Sequence, residues 1–332
     1  MTTPTLESTW SLWQLHRGVT PKKLFLSFVV FVLLSWSAHN TEMDRAFVET
    51  SGAVLSIFGI GNSQVLDGAL RFGAQALPLQ FSQRTATNRL EHFDPEKLPL
   101  FSYVEVAEDK YYDALSDTWS VETTEFLVEP VGYLGKVIRK MWETIEMGFW
   151  GTVLSVLISL PLGYMASSNY SPQRLVYFIA RGWLSFHRAM PELIIALFLV
   201  LMYGFGPIAG VFALAIHTSG VLGKFFADEI ENAPTGPQMA LRATGANALK
   251  VMRFSVVPHV LPAWIAFVQY IFERNIRTAT VLGIVGAGGI GVELKGRWDL
   301  FDYSHVATIL MVIFLTVVAL EFISQQLRKR AL

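Results

Sequence analysis

The chain has 332 residues, of which 52% are hydrophobic and only 16% charged, with a mean hydropathy of +0.41. Soluble domains carry about 25% charged residues, so this composition excludes an ordinary soluble enzyme, and 13% aromatic residues exclude a disordered chain. A net charge of −1 offers no basic surface for nucleic acid. Because cysteine is absent from the sequence, disulfides, thiolate nucleophiles and zinc–thiolate sites are excluded too. The composition predicts a membrane protein.

Long uncharged or nearly uncharged runs mark the candidate membrane spans. A span needs about 20 mostly apolar residues. Five runs approach or exceed this length, at residues 24–41, 147–173, 193–223, 254–272 and 303–320. The third run has Gly204, Gly206 and Pro207 at its centre, and these residues predict a turn between two helices.

The third run is too short to hold two spans. The first of them must therefore begin upstream, near 175–183, and include Arg181, Arg188 and Glu192 along its first turns. The sequence thus predicts an all-α integral membrane protein with six transmembrane helices.

Lysine and arginine in short loops indicate the cytoplasmic side of a membrane protein. They precede span one, follow spans two and four, and end the chain: Arg17, Lys22, Lys23, Arg174, Arg242, Lys250, Arg253, Arg328, Lys329 and Arg330. Six spans place all these segments on one side, so both termini are predicted to be cytoplasmic and the first span to be a signal anchor. Lys136, Arg139 and Lys140 are the exception, and we interpret them as an amphipathic elbow on the membrane surface.

Acidic residues are concentrated between spans one and two. Residues 39–135 contain fifteen Asp or Glu and only six Lys or Arg. We therefore divide the chain into an N-terminal segment with the first span (1–41), an acidic extracytoplasmic insert (42–135) and a five-helix core (136–332). The first half of the insert (47–81) predicts helices packed on the membrane. The second half is either a solvated cap or a docking surface for an extracytoplasmic partner.

A glycine-rich segment follows span five and has the letters of a dinucleotide fingerprint, G-x-G-x-x-G. That fingerprint requires a preceding strand and an acidic residue about 20 positions later, whereas here a membrane span precedes it and the nearest acids come too early. The segment is instead a moving gate, a tight helix crossing or a plain loop. Its glycines are Gly286, Gly288, Gly289 and Gly291. The sequence contains neither a G-x-x-x-x-G-K-[ST] P-loop nor an H-E-x-x-H motif, so it predicts no ATPase site and no metal site.

Four polar residues continue span five: Glu273, Arg274, Asn275 and Arg277. Ionisable groups at this depth cost about 2.5–3.5 kcal/mol each on insertion scales, so they face a partner or a wet cavity. Glu273 and Arg277 share a helix face, which leaves Arg274 as a positive excess. The group is either a structural ion pair or a cation-lined route for an anion. Neighbouring spans add candidate lining residues: Arg188, Glu192, His217, Thr218 and Ser219.

A cytoplasmic loop at about 228–260 separates spans four and five. Within it, Gly245 is predicted to end a short helix, and Pro258, thirteen residues later, to begin the next. A short helix pair outside the bilayer is suited to docking a soluble protein.

These motifs resemble the permeases of binding-protein-dependent ABC importers, whose coupling loop has Glu-Ala-Ala, three residues, Gly, nine residues and Ile-x-Leu-Pro. More narrowly, the sequence is similar to permeases of phosphonate and phosphite importers over about 140–330. The segments that carry the likeness are Arg188-Ala-Met-Pro-Glu192, Gly204-Phe-Gly-Pro207, Gly220-Val-Leu-Gly-Lys224, Arg242-Ala-Thr-Gly245, Glu273-x-Asn-x-Arg277 and Thr280-Val-Leu-Gly-Ile-Val-Gly-Ala-Gly-Gly-Ile-Gly291. Met239 stands where the family has Glu, and Ser255 and Val257 replace its Ile and Leu. The insert has no counterpart in this resemblance.

The resemblance implies an inner-membrane permease that forms a homodimer around a central pathway. Two cytoplasmic ATPase subunits would bind ATP and Mg and dock on the coupling loop, and an extracytoplasmic binding protein would deliver the anion. This chain would bind no cofactor itself. The implied coupling residues are Met239, Ala240, Arg242, Gly245 and Pro258.

Three other functions stay open at this stage. A methionine or amino-acid importer shares the loop and the fold, but the positive excess near Arg274 and Arg277 favours a small oxyanion. A membrane enzyme would place its active site on the insert, where His92 and many carboxylates occur without an ordered motif. A passive anion channel would have no use for the docking loop.

Overall fold

The computed structural model describes residues 20–59, 61–90, 94, 98–99, 101–113 and 118–331, without the side chains of 109–113, 118–122 and 327–331. Arg17 and His92 lie outside the described residues, as do the side chains of Arg328, Lys329 and Arg330. The chain divides into two compact units, one ending at Ala74 and the other beginning at Gln75.

The first unit is helical. Its helices are α1 (Pro21–Asn40), α2 (Met43–Ile57) and the larger part of α3 (Gln64–Ala76). Helix α1 starts with Thr20 as N-cap, whose hydroxyl accepts from the backbone N–H of Lys23, and with Pro21 in the first turn. None of its side chains is buried, and it is long and apolar enough to span a membrane. Helices α2 and α3 fall within or beside the predicted helical half of the insert.

The second half of the insert forms a sheet that the sequence analysis did not predict. Strands β1 (Gln83–Ala86), β2 (Tyr103–Asp113) and β3 (Thr118–Glu129) pair antiparallel in the order β1-β3-β2. The prediction of an all-α chain is therefore wrong for this segment, where β-branched and aromatic residues alternate with acids. The sheet is joined to the helical core, because Tyr133 N–H donates to Phe81 O at 3.1 Å and the Thr308 hydroxyl donates to Gln80 O at 2.9 Å.

The remaining chain is helical, as predicted. Its elements are α4 (Gly132–Met165), α5 (Arg174–Ala189), α6 (Glu192–Tyr203), α7 (Pro207–Asn232), α8 (Thr235–Ala243), α9 (Ala248–Val251), a π-helical turn (Met252–Val256), α10 (Val257–Ile284), α11 (Ile290–Asp299) and α12 (Tyr303–Ala331). Among the described residues, five helices are long and apolar enough to cross a membrane: α1, α4, α7, α9–α10 and α12.

In this region the predicted elbow is wrong, and the predicted third span is bent. Lys136, Arg139 and Lys140 form no separate elbow, because they belong to the first turns of α4, a continuous helix of 34 residues. The predicted third span is broken, because α5 and α6 meet at an angle of 87° at Met190 and Pro191. Both residues are extended, and neither α5 nor α6 alone reaches the length of a span. The pair is one broken span or a re-entrant segment.

Helix α7 is central to the core and packs against α4, α5, α6 and α10. Glycines permit the close approaches, as is usual where helices meet in a membrane. A Cβ on Gly151 of α4 would lie 2.7 Å from Leu214 Cβ on α7, and a Cβ on Gly148 would lie 2.6 Å from Ile276 of α10. Small residues therefore fix α7 and α10 against α4.

Candidate functional site

A charged cluster of Glu192, His217 and Arg274 lies at the break between α5 and α6. Glu192 occupies the first turn of α6, and its two carboxylate oxygens face different helices. One oxygen lies 3.6 Å from Arg274 Nη2 on α10, and the other lies 3.4 Å from His217 Nε2 on α7. Arg274 Nη2 is also 3.3 Å from His217 Nε2. The break between α5 and α6 thus brings a carboxylate against a cation from a distant helix.

The partners of His217 fix its tautomer. Its Nδ1 lies 2.9 Å from the Met190 carbonyl, which can only accept, so Nδ1 carries a proton. In the neutral ring Nε2 is then an acceptor, and Arg274 is the neighbour that can donate to it. The break residue Met190 and the Arg274 guanidinium are therefore linked through one imidazole.

The other ionisable residues of the cluster add two cations and one carboxylate. Glu273 and Arg277 form the predicted i,i+4 pair at 3.2 Å, with Glu273 buried and Arg277 half-exposed. Arg188 is exposed, and no described carboxylate lies within 4.0 Å of it. The interpretation of Arg274 as an unpaired residue is wrong, because Glu192 faces it. With neutral histidine, three arginines and two glutamates still leave a net positive charge.

Two predicted pathway residues lie inside the helix bundle. Asn275 is 2% exposed: its amide donates to Thr152 Oγ1 at 2.9 Å, and its carbonyl accepts from Thr218 Oγ1 at 3.0 Å. Ser219 is fully buried, and its hydroxyl lies 2.9 Å from His187 Nδ1. These contacts join α4, α5, α7 and α10. The geometry favours a role in holding the helices together over a role in lining a route.

Lys224 is a residue that the sequence analysis did not select. It lies on α7, seven residues after His217 and so nearly two turns further along the same helix face. It is half-buried, and within the described part of the chain no carboxylate approaches it to 4.0 Å. A lysine inside an apolar helix is itself a signal of function.

The glycine-rich segment is closely packed. Gly286, Gly288 and Gly289 have φ values between +72° and +91°, a region that favours glycine. The Gly206 N–H donates to the Gly286 carbonyl at 3.0 Å, so this segment is joined to the turn between α6 and α7. A Cβ on Gly291 would overlap the Thr280 carbonyl oxygen. This geometry matches the tight helix crossing; the gate stays a prediction.

Side chains of α4 hold the same segment. Glu143 accepts from the Gly289 N–H at 2.9 Å, and the Thr144 hydroxyl accepts from the Ile290 N–H at 2.8 Å. The first backbone donors of α11 are therefore satisfied by α4, as caps satisfy a helix start.

The predicted coupling residues form an exposed surface on and after α8. Met239, Ala240 and Arg242 are exposed on that helix, and Gly245 ends it with φ +83°. The Ala246 N–H bonds back to Leu241 O, the arrangement of a glycine C-cap. Pro258, also exposed, lies in the first turn of α10, and the chain continues as helix from α9 through the π turn without a break there.

The inner face of α8 is anchored by polar contacts that the sequence analysis missed. The buried amide of Gln238 donates to the carbonyls of Ala233 and Pro234 at 3.1 Å each. Nearby, Glu231 accepts from the Ser168 N–H at 2.6 Å and pairs with Arg181 at 3.0 Å. Gln238 therefore fixes α8 to the segment that connects it to α7, and Glu231 near the end of α7 links that helix to α5 and to the loop after α4.

A second ion network lies around α11. Glu293 pairs with Lys136 at 2.8 Å and with Arg297 at 3.1 Å. Arg297 pairs in turn with Asp302 at 3.0 Å, and Asp302 with His305 at 2.7 Å. Burial alone would raise the pKa of Glu293, but the hydrogen bonds from Lys136 and Arg297 outweigh it and hold that pKa below its usual value.

Metal ligands do not cluster: in the part of the chain that the structure describes, no three His, Cys, Asp or Glu side chains come together as a metal site would require.

The chain is similar in sequence to known transport proteins. Residues 159–331 match the family described as "Binding-protein-dependent transport system inner membrane component". The putative phosphite transport system permease protein HtxE of Stutzerimonas stutzeri is 46% identical over 257 residues, which are 76% of this chain and 98% of that protein. The phosphite transport system permease protein PtxC of the same species is 41% identical, over 58% of this chain and 70% of that protein.

A solved structure shows the same fold. An inward-facing structure of the MetNI methionine ABC transporter has a chain that superposes with a TM-score of 0.54 at 22% identity, covering 61% of this chain and 99% of that chain.

Proposed function

Because the chain belongs to the family of inner membrane components of binding-protein-dependent transport systems, we propose that it is the permease through which such a system imports phosphite or a closely related phosphorus oxyanion. One observation carries the choice of cargo: residues 188–192 and 273–277 contain three arginines and only two glutamates, and the Glu192–Arg274 contact joins the two segments. Guanidinium groups bind oxyanions in a planar, charge-assisted geometry.

The relatives support this cargo over a methionine. Both phosphite transport relatives exceed 40% identity, whereas the probable D-methionine transport permease MetI of Haemophilus influenzae is only 26% identical. A zwitterion would also gain little from an excess of cations.

The proposed route uses the arginines of the cluster and Lys224. Arg188, Arg274 and Arg277 attract the anion, and Lys224 receives it further along α7. Arg188 and Lys224 suit this role because no described carboxylate lies within 4.0 Å of either.

The proposed assembly contains two copies of this chain, two ATPase subunits that bind ATP and Mg, and an extracytoplasmic binding protein. Both termini face the cytoplasm. The exposed surface of Met239, Ala240 and Arg242 suits the docking of the ATPase. Closure of the ATPases would move α8, and the hydrogen bonds of Gln238 would transmit that movement to the loop after α4 and to the end of α7.

The test is ATP hydrolysis by the complex reconstituted in liposomes with its ATPase and binding protein. Phosphite, methylphosphonate, phosphate and methionine are added in turn. We expect a phosphorus oxyanion to stimulate hydrolysis and to accumulate inside, and Arg274→Gln to lose uptake. Arg139→Gln, which removes an exposed arginine from α4, is the matched control. Stimulation by methionine alone would contradict the proposed cargo.

A further inference from the structure

Glu192 is held in an unusual way. Its carboxylate lies 3.6 Å from Arg274 and 3.4 Å from His217, whereas charge-assisted hydrogen bonds measure about 2.7–2.9 Å. The His217 Nε2 atom also lies 3.3 Å from Arg274 Nη2, so the two neighbours of Glu192 also lie close to each other. The carboxylate is therefore held by the charge of Arg274 and not by a formed hydrogen bond.

The position of Glu192 leaves its side chain room to move. It follows the break at Pro191, and a quarter of its side chain is exposed. The Glu273–Arg277 pair differs, since it joins two residues of one helix at 3.2 Å and its carboxylate is 10% exposed. Of these two carboxylates, Glu192 is therefore the more exposed and the further from its arginine, at 3.6 Å against 3.2 Å.

We propose that the carboxylate of Glu192 is a counter-anion that belongs to the protein itself. It occupies the anion-binding position at Arg274, here called the seat, until a transported anion displaces it. This inference rests on the proposed function. A carboxylate and a phosphorus oxyanion offer the same acceptor oxygens to a guanidinium, and two anions at one cation repel each other. While Glu192 lies beside Arg274, it neutralises that arginine, so the empty permease attracts small anions less strongly than it would with an unpaired Arg274. The carboxylate thereby determines the anion selectivity of the permease, because only anions that bind Arg274 more strongly than Glu192 does can enter.

The test is passive anion flux through the assembled complex in liposomes without ATP, measured with chloride and with phosphite. In Glu192→Gln the side chain keeps its shape and loses its charge, so we expect both fluxes to rise roughly tenfold or more. Glu192→Asp keeps the charge and is expected to stay near the wild type. Glu146→Gln is the matched control, since Glu146 accepts from Trp142 Nε1 at 2.7 Å and no described cation lies within 4.0 Å of it.

The outcomes are separable. In Glu192→Gln combined with Arg274→Gln the seat itself is gone, so the extra flux should disappear. Passive flux through Glu192→Gln and Glu192→Ser that stays at the wild-type level, in complexes that elute as wild type on size exclusion, would overturn the counter-anion and leave the proposed cargo standing. If the wild type imports no phosphorus oxyanion while Glu192→Gln leaks chloride, the proposed cargo is wrong and the counter-anion is retained.

Discussion

The phenol of Tyr170 donates a 2.7 Å hydrogen bond to the side-chain carbonyl of Gln238, and this contact joins α8 to the loop after α4. Both side chains are buried. Because Gln238 also donates to two backbone carbonyls, one amide connects the exposed coupling helix to the end of the longest helix of the core. The surface proposed to meet the ATPase is thus built on a fully partnered buried group.

Replacing Gln238 should therefore separate ATP hydrolysis from uptake. Gln238→Leu removes three hydrogen bonds, one from the Tyr170 hydroxyl and two to backbone carbonyls, at a cost of about 0.5–1.5 kcal/mol each. We expect lower uptake per ATP hydrolysed and a lower melting temperature. Tyr170→Phe removes one of the three bonds and should give an intermediate effect. If Gln238→Leu took up as much substrate per ATP as the wild type, the hydrogen bonds of Gln238 would have no role in coupling.

Gly245 gives a second test of coupling, through backbone conformation. Its φ of +83° costs a residue with a Cβ about 1–2 kcal/mol, although a Cβ itself would meet no atom within 4 Å. Gly245→Val should weaken the end of α8, and Gly245→Trp should also obstruct docking, so that hydrolysis becomes uncoupled from uptake. Gly245→Asn, which tolerates this φ, is the control. Equal coupling ratios in the Val and Asn variants would contradict the argument.

Gly291 is constrained by space. A Cβ there would overlap the Thr280 carbonyl oxygen and lie 2.8 Å from Gly283 Cα. Gly291→Ala should destabilise the protein by about 1–3 kcal/mol, the usual cost of overpacking. The control is Gly182→Ala on α5, where a Cβ would meet no atom within 4 Å and alanine is the better helix former. The melting temperatures of the two variants in detergent measure their stabilities. Similar values would show that the helices can move apart at Gly291 with little loss of stability.

The Glu293 network predicts a pH dependence of stability. Its pKa is lower in the folded protein than in the unfolded chain, so its carboxylate stabilises the fold at pH values above the unfolded pKa of about 4.3. This contribution is lost as the pH falls through the folded pKa. We therefore expect Glu293→Gln to lower the melting temperature at pH 7 and the difference from wild type to shrink below about pH 4. A constant difference would mean that Glu293 acts through packing alone.

The sequence predicted the features that depend on local patterns, such as helix faces, helix ends and turns. The 3.6-residue period gives Glu273 and Arg277 one face, Gly245 ends its helix, and the turn between α6 and α7 carries its glycines and proline. It did not predict the 87° break. Pro191 marks that break, but Pro161 and Pro262 lie inside helices that continue, so proline alone does not decide the matter.

Contacts between residues far apart in the sequence could not be predicted, for a different reason. The Glu192–Arg274 pair joins residues more than 80 positions apart, and i,i+4 spacing cannot reveal such a pair. The Tyr170–Gln238 bond is of the same kind. In the insert, charge was the dominant signal and masked an alternation that predicts strands.

The short connection from the sheet to α4 has a mechanical consequence. Strand β3 ends at Glu129 and α4 begins at Gly132, with two residues between them. At 1.5 Å per residue, α4 is about 51 Å long, which exceeds the roughly 30 Å hydrocarbon core of a bilayer. A load applied to the sheet would therefore bear directly on α4, a helix long enough to cross a membrane, and a displacement of the sheet would tilt that helix.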